Sequence, residues 1–178
     1  MIPEPLHPAV VHFPIVLAFL LPIFALGALW AIRRGVGPSR AWALPVALAA
    51  ALAASAWVAL ETGEDQEERV EAVVSEEALG AHEESAERFL VLSGLVLVVA
   101  GAGLLGGTVG AAGRILATAG SVVVLVAGFS VGRAGGELVY RHGAAQPYVA
   151  AASAGAVGPS PATGTGGYGK EHEHEDED

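Results

Sequence analysis

The sequence predicts an all-α fold, an integral membrane four-helix bundle with both termini outside. Four apolar runs without a charged residue carry this prediction, at residues 10–32, 41–60, 89–113 and 115–132. A helix of about 20 such residues crosses a hydrocarbon core of about 30 Å. The hydrophobic share of 53% and the mean hydropathy of +0.53 agree with it, because a typical soluble domain is less apolar.

The first two spans are predicted at about residues 10–32 and 41–61. The chain before the first span has no lysine or arginine, and the apolar region is too long for a cleaved signal peptide. A proline in the first turn of a helix costs little, because its missing N–H would have no partner there. Pro22 and Pro45 lie inside the spans instead, so we expect them to kink both helices.

The acidic segment between the second and third spans, residues 62–88, is predicted to be helical. It is rich in helix formers, so the second helix should continue outward past the membrane. A turn is expected near Val74 and Ser75, because Ser75 followed by two glutamates is typical of a helix start. The new helix then runs into the third span, at about residues 88–107.

The membrane domain is predicted to cover residues 1–148. In its last part, glycines indicate both a turn and a packing surface. Those between 106 and 113 predict the inner turn, before a fourth span at about residues 113–135. The fourth span carries a stripe of small residues at Gly120, Gly128, Gly132 and Gly136. Such a stripe allows a neighbouring helix to approach closely, and it equally allows a flat cofactor to lie against the helix.

The remaining residues, 149–178, are predicted to form a flexible Ala/Gly/Pro tether and an acidic tail. The tail contains His172 and His174 among six acidic residues. Low hydrophobicity and high net charge favour disorder in such a segment. A weak attraction for divalent cations is the alternative interpretation of its histidines.

Arginine placement predicts the orientation in the plasma (inner) membrane. Arg33, Arg34 and Arg40 lie between the first two spans, and Arg114 lies between the last two. Cytoplasmic links carry the excess of positive residues, so the termini and segment 61–88, with its eleven acidic residues, should be extracytoplasmic. Aromatic residues are expected at the two membrane interfaces: Trp30 and Trp42 inside, Trp57 and Tyr140 outside.

Four histidines lie near predicted helix ends on the outer side, namely His7, His12, His82 and His142. The electropositive start of a helix favours neutral imidazole, which is the form that binds metals. Carboxylates of the same side could complete a mixed site, and the candidates are Glu64, Glu68 and Glu83. Interfacial caps and a solvated acidic face are the alternatives for these residues.

Several classes of function are excluded or disfavoured. The chain contains no cysteine, which excludes thiolate metal sites and covalent haem attachment within it. Its formal net charge of −10 disfavours nucleic acid as a partner. We find no set of nucleophile, base and orienting residue, and we therefore name no catalytic residue and do not expect a stand-alone enzyme.

Motifs around the four spans resemble an uncharacterised prokaryotic membrane family, domain of unknown function 2231. The resemblance covers about residues 5–145 and rests on four motifs in order: His7-Pro8-x-x-Val11-His12-Phe13-Pro14, Thr62-Gly63-Glu64, His82-Glu83 and Gly135-Gly136-x-Leu138-Val139-Tyr140-x-His142-Gly143. It implies a four-helix membrane bundle. Such domains are sometimes joined to, or encoded beside, redox modules, which makes redox or other membrane-complex subunits the expected partners besides the lipid bilayer.

Three functional hypotheses stay open at this point. The first is an electron-transfer subunit that binds haem b, with His12 and His142 as preferred axial ligands and His7 and His82 as competitors. The second is a divalent transition metal held by the same histidines with the carboxylates. The third is a structural scaffold, in which these side chains make interhelical hydrogen bonds and a partner supplies the activity.

Overall fold

The computed structural model describes residues 6–150 of the chain, except for the side chain of Glu68. It contains a short helix α1 (His7–Val10) and four long helices, α2 (His12–Arg33), α3 (Pro38–Val70), α4 (Glu76–Ala102) and α5 (Gly107–Tyr140). Each long helix, α2 together with α1, is long and apolar enough to cross a membrane. The predicted all-α fold, with four helices long and apolar enough to span a membrane, is therefore confirmed for residues 6–150.

The first span is interrupted at Val11, between α1 and α2. Pro14 has no N–H to donate to the carbonyl of Val10, and its ring crowds that carbonyl. The interruption is one residue long, because the backbone of Val11 keeps helical angles (φ −59°, ψ −22°). The first turn, which carries His7, packs against α3.

The four long helices alternate in direction, and each packs against the next one along the chain, with α2 and α5 closing the bundle. One end of the bundle holds the start of α1, the end of α3, the start of α4 and the end of α5. We name it the acidic end, for the carboxylates of residues 61–88. The opposite end, with the links after α2 and α4, is named the arginine end.

At the acidic end, the helical extension predicted after the second span is confirmed. Helix α3 continues to Val70, and a turn leads to Ser75, whose hydroxyl accepts a hydrogen bond from the N–H of Ala78. This is the N-cap arrangement that serine favours, and Glu76 and Glu77 follow in the first turn of α4. The cap fixes where the chain re-enters the bundle.

At the arginine end, the predicted turn over residues 106–113 is wrong in length. Helix α4 ends at Ala102, and α5 already begins at Gly107, whose φ of +65° suits glycine. Gly110 and Gly113 are thus helical, and their missing side chains let α5 lie against the end of α4. The glycines of this motif serve close packing rather than a long turn.

The core between the helices is built largely from alanine, which allows close helix approach within lipid. Larger side chains fill the remaining space, and the main buried residues are Ala18, Leu21, Ala25, Ala28, Trp42, Ala49, Leu52, Ala56, Phe89, Val96, Ala100, Ala117 and Val124. The buried hydroxyls of Ser93, Thr118 and Ser121 donate to carbonyls of their own helices. No hydroxyl of this trio therefore needs a partner from another helix.

The prediction that Trp42 is an interfacial anchor is wrong. Its ring is 0% exposed, and its Nε1–H donates to the carbonyl of Ala100 at 2.9 Å. Gly103 leaves the space that the ring occupies. Trp30 is 62% exposed as expected, with the guanidinium of Arg34 5.1 Å from its ring centroid.

Arg114 is also placed differently from the prediction, which had put it in the link between the third and fourth spans. It lies two turns inside α5, is 7% exposed, and donates to the carbonyl of Gly103. A cation at this point complements the negative C-terminal end of α4. In the fold, Arg114 thus supplies a hydrogen-bond donor to the C-terminal end of α4.

The glycine stripe of α5 serves helix packing over part of its length. A side chain at Gly120 would collide with Val96, and one at Gly128 would press on Phe89. Gly132 and Gly136 face open space, with no atom within 4 Å of an added Cβ. The first two glycines thus support the packing interpretation, while the last two leave an uncovered strip near the acidic end.

Candidate functional site at the acidic end

The structure separates the four candidate histidines into two pairs. His7 and His82 are partly buried, and they lie near enough to each other for their charges to interact. His12 and His142 are exposed. The haem ligands preferred from the sequence, His12 and His142, stay a prediction, but the buried pair is the one that the fold brings together.

His7 is held against the outward part of α3. Its Nδ1–H donates to the carbonyl of Ala59 at 2.9 Å, which fixes the proton on Nδ1 because a carbonyl can only accept. The hydroxyl of Thr62, 3.4 Å from the same nitrogen, donates to the carbonyl of Val58. Gly63 makes room for the ring, because a Cβ at this position would lie 3.2 Å from His7 Cε1. We call a glycine that makes room for an imidazole in this way a seat.

His82 is held against α5 in a similar way. A Cβ added at Gly135 would lie 3.2 Å from His82 Cε1, so this glycine provides the second seat. The carbonyl of Val131, one turn earlier on α5, lies near the ring. His82 Nδ1 is buried and has no hydrogen-bond partner among the described residues.

The two imidazoles are held differently in their hydrogen bonding. In His7 the Nδ1–H donates to a helix carbonyl, which fixes the tautomer and leaves the lone pair on Nε2. In His82 the buried Nδ1 has no partner among the described residues. A buried polar atom without a partner is rare in folded proteins and commonly marks a site for a water, an ion or a ligand.

The donor set around the pair is small. Within residues 6–150 no group of three or more histidine and carboxylate side chains is positioned to hold a metal ion. Structural zinc sites use four protein ligands and catalytic zinc sites three. Two imidazoles match instead the number of axial ligands that haem iron can take from a protein.

The carboxylates of the acidic end meet in a different combination from the predicted one. Glu83 is within hydrogen-bonding range of Glu67, and Glu64 and Glu87 are near it. The side chain of Glu68, the third carboxylate predicted with Glu64 and Glu83, lies outside the described residues. Two ionised carboxylates this near would repel each other, so a proton or a cation between them would be stabilising.

Other charged residues of this end form pairs within their own helices. Arg88 pairs with Glu84, and Glu137 lies 3.4 Å from Arg133 and 3.7 Å from Arg141. These contacts are exposed, and exposed ion pairs contribute little to stability. Tyr140, predicted in the same cluster as Glu137 and Arg141, is 90% exposed.

The sequence interpretation missed the importance of Gly63 and Gly135. Both were present in the motifs quoted above, but only as part of their patterns. A glycine within a helix-forming acidic segment weakens the helix by about 1 kcal/mol, so its presence at position 63 was a usable signal. The structure explains it, since any larger residue would push an imidazole away from its helix.

Replacing Gly135 by valine is expected to displace His82. The new side chain would occupy the space of the ring, which would move away from α5 and become accessible to water. We expect diethyl pyrocarbonate to modify His82 at least about fivefold faster, because a free-energy change of about 1 kcal/mol shifts an equilibrium by about that factor. Mass spectrometry of the His82 peptide measures this rate.

The matched control is Gly136→Val, because the neighbouring glycine has open space in front of it. It introduces the same β-branched residue into the same helix turn and should leave the His82 rate unchanged. Equal acceleration in both variants would show that valine loosens the end of α5 and that Gly135 is no special seat.

Comparison with protein-family models, with curated proteins and with solved structures finds no match for this chain. The resemblance to domain of unknown function 2231 therefore stays a prediction from the motifs.

Proposed function

We propose that this chain is a membrane electron-transfer subunit that binds haem b at its acidic end through His7 and His82. The observation that carries the proposal is the pair of imidazoles with uncommitted nitrogens, one of them the buried Nδ1 of His82. Haem b needs no cysteine, which agrees with the absence of this residue from the sequence. When bound, haem supplies reversible one-electron chemistry.

The chain's own residues would do three things for such a group. The carbonyl of Ala59 orients the ring of His7 and raises the basicity of its free nitrogen. The seats at Gly63 and Gly135 keep the imidazoles close to their helices. The open strip at Gly132 and Gly136 lies beside the His82 seat and offers a flat surface to a macrocycle.

The orientation and partners belong to the same proposal. Arg33, Arg34 and Arg40 are exposed at the arginine end, which favours the cytoplasm for that end and the outside of the plasma membrane for the acidic end. A haem at the acidic end would then exchange electrons with another redox subunit of a membrane complex.

The test is a dithionite-reduced minus air-oxidised spectrum of the protein purified in mild detergent from cells supplied with haem precursor. We expect the α and Soret bands of b haem, and we expect His7→Ala and His82→Ala to lose at least about nine-tenths of them, since each removes an axial ligand. His12→Ala is the matched control and should retain the bands.

Two results would contradict this assignment. A flat spectrum from the unmodified chain, despite haem precursor, would refute haem binding altogether. Bands that survive in His7→Ala and His82→Ala but vanish in His12→Ala or His142→Ala would move the ligands to the exposed pair.

A scaffold role is the second candidate, because a specific observation favours it. The ring of His7 bonds α1 to α3, and the ring of His82 contacts α5 from α4, so both histidines link separate helices. In that case His7→Phe and His82→Phe would lower the melting temperature while neither haem nor metal is found in the purified protein. A non-haem metal is less well supported, because no group of three or more ligating side chains among the described residues is placed to hold a metal ion.

A further inference from the structure

The chain after α5 turns back across the acidic end of the bundle. Helix α5 ends at Tyr140, and Gly143, with a φ of +71°, allows the reversal. The N–H of Ala144 then donates to the carbonyl of Leu138 at 3.0 Å, and Ala144 packs on a small apolar cluster formed by Val74, Leu79 and Leu138. This is the first anchor of the returning segment.

The second anchor is on α3. The hydroxyl of Tyr148 donates to Gln66 Oε1 at 2.9 Å, although 82 residues separate the two in the sequence. Both side chains are partly buried. The segment 143–148 therefore connects the end of α5 with the outward part of α3.

Each anchor lies on the same helix as one histidine seat and three residues beyond it. Gln66 lies three residues beyond Gly63 on α3, and Leu138 lies three residues beyond Gly135 on α5. Residues three apart in a helix share a face, nearly one turn from each other. The returning segment thus joins α3 and α5 one turn farther from the membrane centre than the seats of His7 and His82.

We propose that residues 143–148 form a strap that closes the acidic end over the His7–His82 pair, with the Tyr148–Gln66 hydrogen bond as its clasp. The strap limits the access of water-soluble molecules to the two imidazoles. Its contacts with the bundle include the Tyr148–Gln66 hydrogen bond, the backbone bond from Ala144 to Leu138 and one small apolar cluster. These are few compared with the contacts of a helix, so the strap opens at a lower free energy than the helices themselves. The strap acts on the same pair as the proposed function, but it does not require that the pair bind haem.

The experiment compares the rates at which diethyl pyrocarbonate modifies each histidine of the full chain in lipid nanodiscs, prepared without haem precursor. Tyr148→Phe removes the hydroxyl of the clasp and keeps the ring. We expect His7 and His82 to react about three- to tenfold faster, which is the effect of one lost hydrogen bond on the opening equilibrium. His12 and His142 are already exposed and should react at unchanged rates.

Two further variants make the result specific. Tyr140→Phe removes a hydroxyl from a tyrosine that is 90% exposed, and it should change none of the four rates. Gln66→Leu should reproduce the effect of Tyr148→Phe, and the double variant should add little, because both remove the same bond. Unchanged rates at His7 and His82 in both clasp variants would overturn the proposal, and so would an equal rise at all four histidines.

This outcome is separable from that of the haem test. A chain without haem bands can still show faster modification at His7 and His82 when the clasp is removed. Haem bands together with unchanged modification rates would refute the strap and leave the haem proposal standing.

Discussion

Replacing Trp42 by alanine is expected to lower the free energy of unfolding by about 3–5 kcal/mol, the usual cost of removing a large buried aromatic side chain. The indole ring is fully buried at the arginine end and fills the space beside Gly103. The variant would leave a cavity there and would also remove one of the two donors of the Ala100 carbonyl, which keeps the backbone N–H of Gly103. Trp42→Phe should cost less, about 1–2 kcal/mol, because it loses mainly the hydrogen bond.

The measurement is the helical circular dichroism signal of the protein in mixed micelles, titrated with a denaturing detergent. Trp30→Ala is the matched control, since that ring is 62% exposed and contacts Arg34 from outside the bundle. It should lose less than about 1 kcal/mol, the range of an exposed cation–π contact. Comparable losses in the two alanine variants would show that Trp42 acts as an interfacial anchor after all.

Gly113→Ala is expected to destabilise the bundle by about 2–3 kcal/mol through overpacking. The added Cβ would lie 2.8 Å from the backbone N of Gly103 and 3.0 Å from the backbone C of Ala102. Backbone atoms cannot rotate away as a side chain would, so α4 and α5 would have to separate. The separation would also strain the hydrogen bond from Arg114 to Gly103.

Gly132→Ala in the same helix is the control for this prediction. Nothing lies within 4 Å of its added Cβ, and alanine favours a helix over glycine by about 1 kcal/mol, so this variant should be neutral or slightly more stable. The same detergent titration measures both variants. A loss in Gly132→Ala as large as that in Gly113→Ala would mean that α5 is sensitive to alanine along its whole length.

The helices were predictable because each depends on neighbouring residues and on the contrast between apolar chain and water. Uncharged runs longer than the bilayer core predict spans wherever they occur. The start of α4 was predictable for a local reason too, since the hydroxyl of Ser75 caps an N–H only three residues away. The break at Val11 escaped prediction although Pro14 was noted, because the sequence does not show whether the chain before the proline stays helical.

The sequence predicted which residue types form the candidate site and at which end of the bundle they lie. It did not predict which of these side chains meet each other. His7, His12, His82 and His142 all lie near helix ends, so sequence placed them on one side together. Whether an imidazole points inward depends on the rotation of each helix about its axis, which distant contacts decide. Helix rotation also decides which carboxylate lies next to Glu83. The sequence predicted Glu64 and Glu68 for this place, whereas the structure brings Glu67 to Glu83.

The sequence by itself thus determined the four long helices, the outward extension of α3, the start of α4 and the acidic character of one end. Only the tertiary structure decided that Trp42 and Arg114 are internal, that His7 and His82 form the buried pair, and that the chain returns to Gln66. The physical reason is that hydropathy and capping act within one or two helical turns. Packing acts between helices, and the glycines at 63, 103, 113 and 135 determine how closely a ring or a backbone can approach.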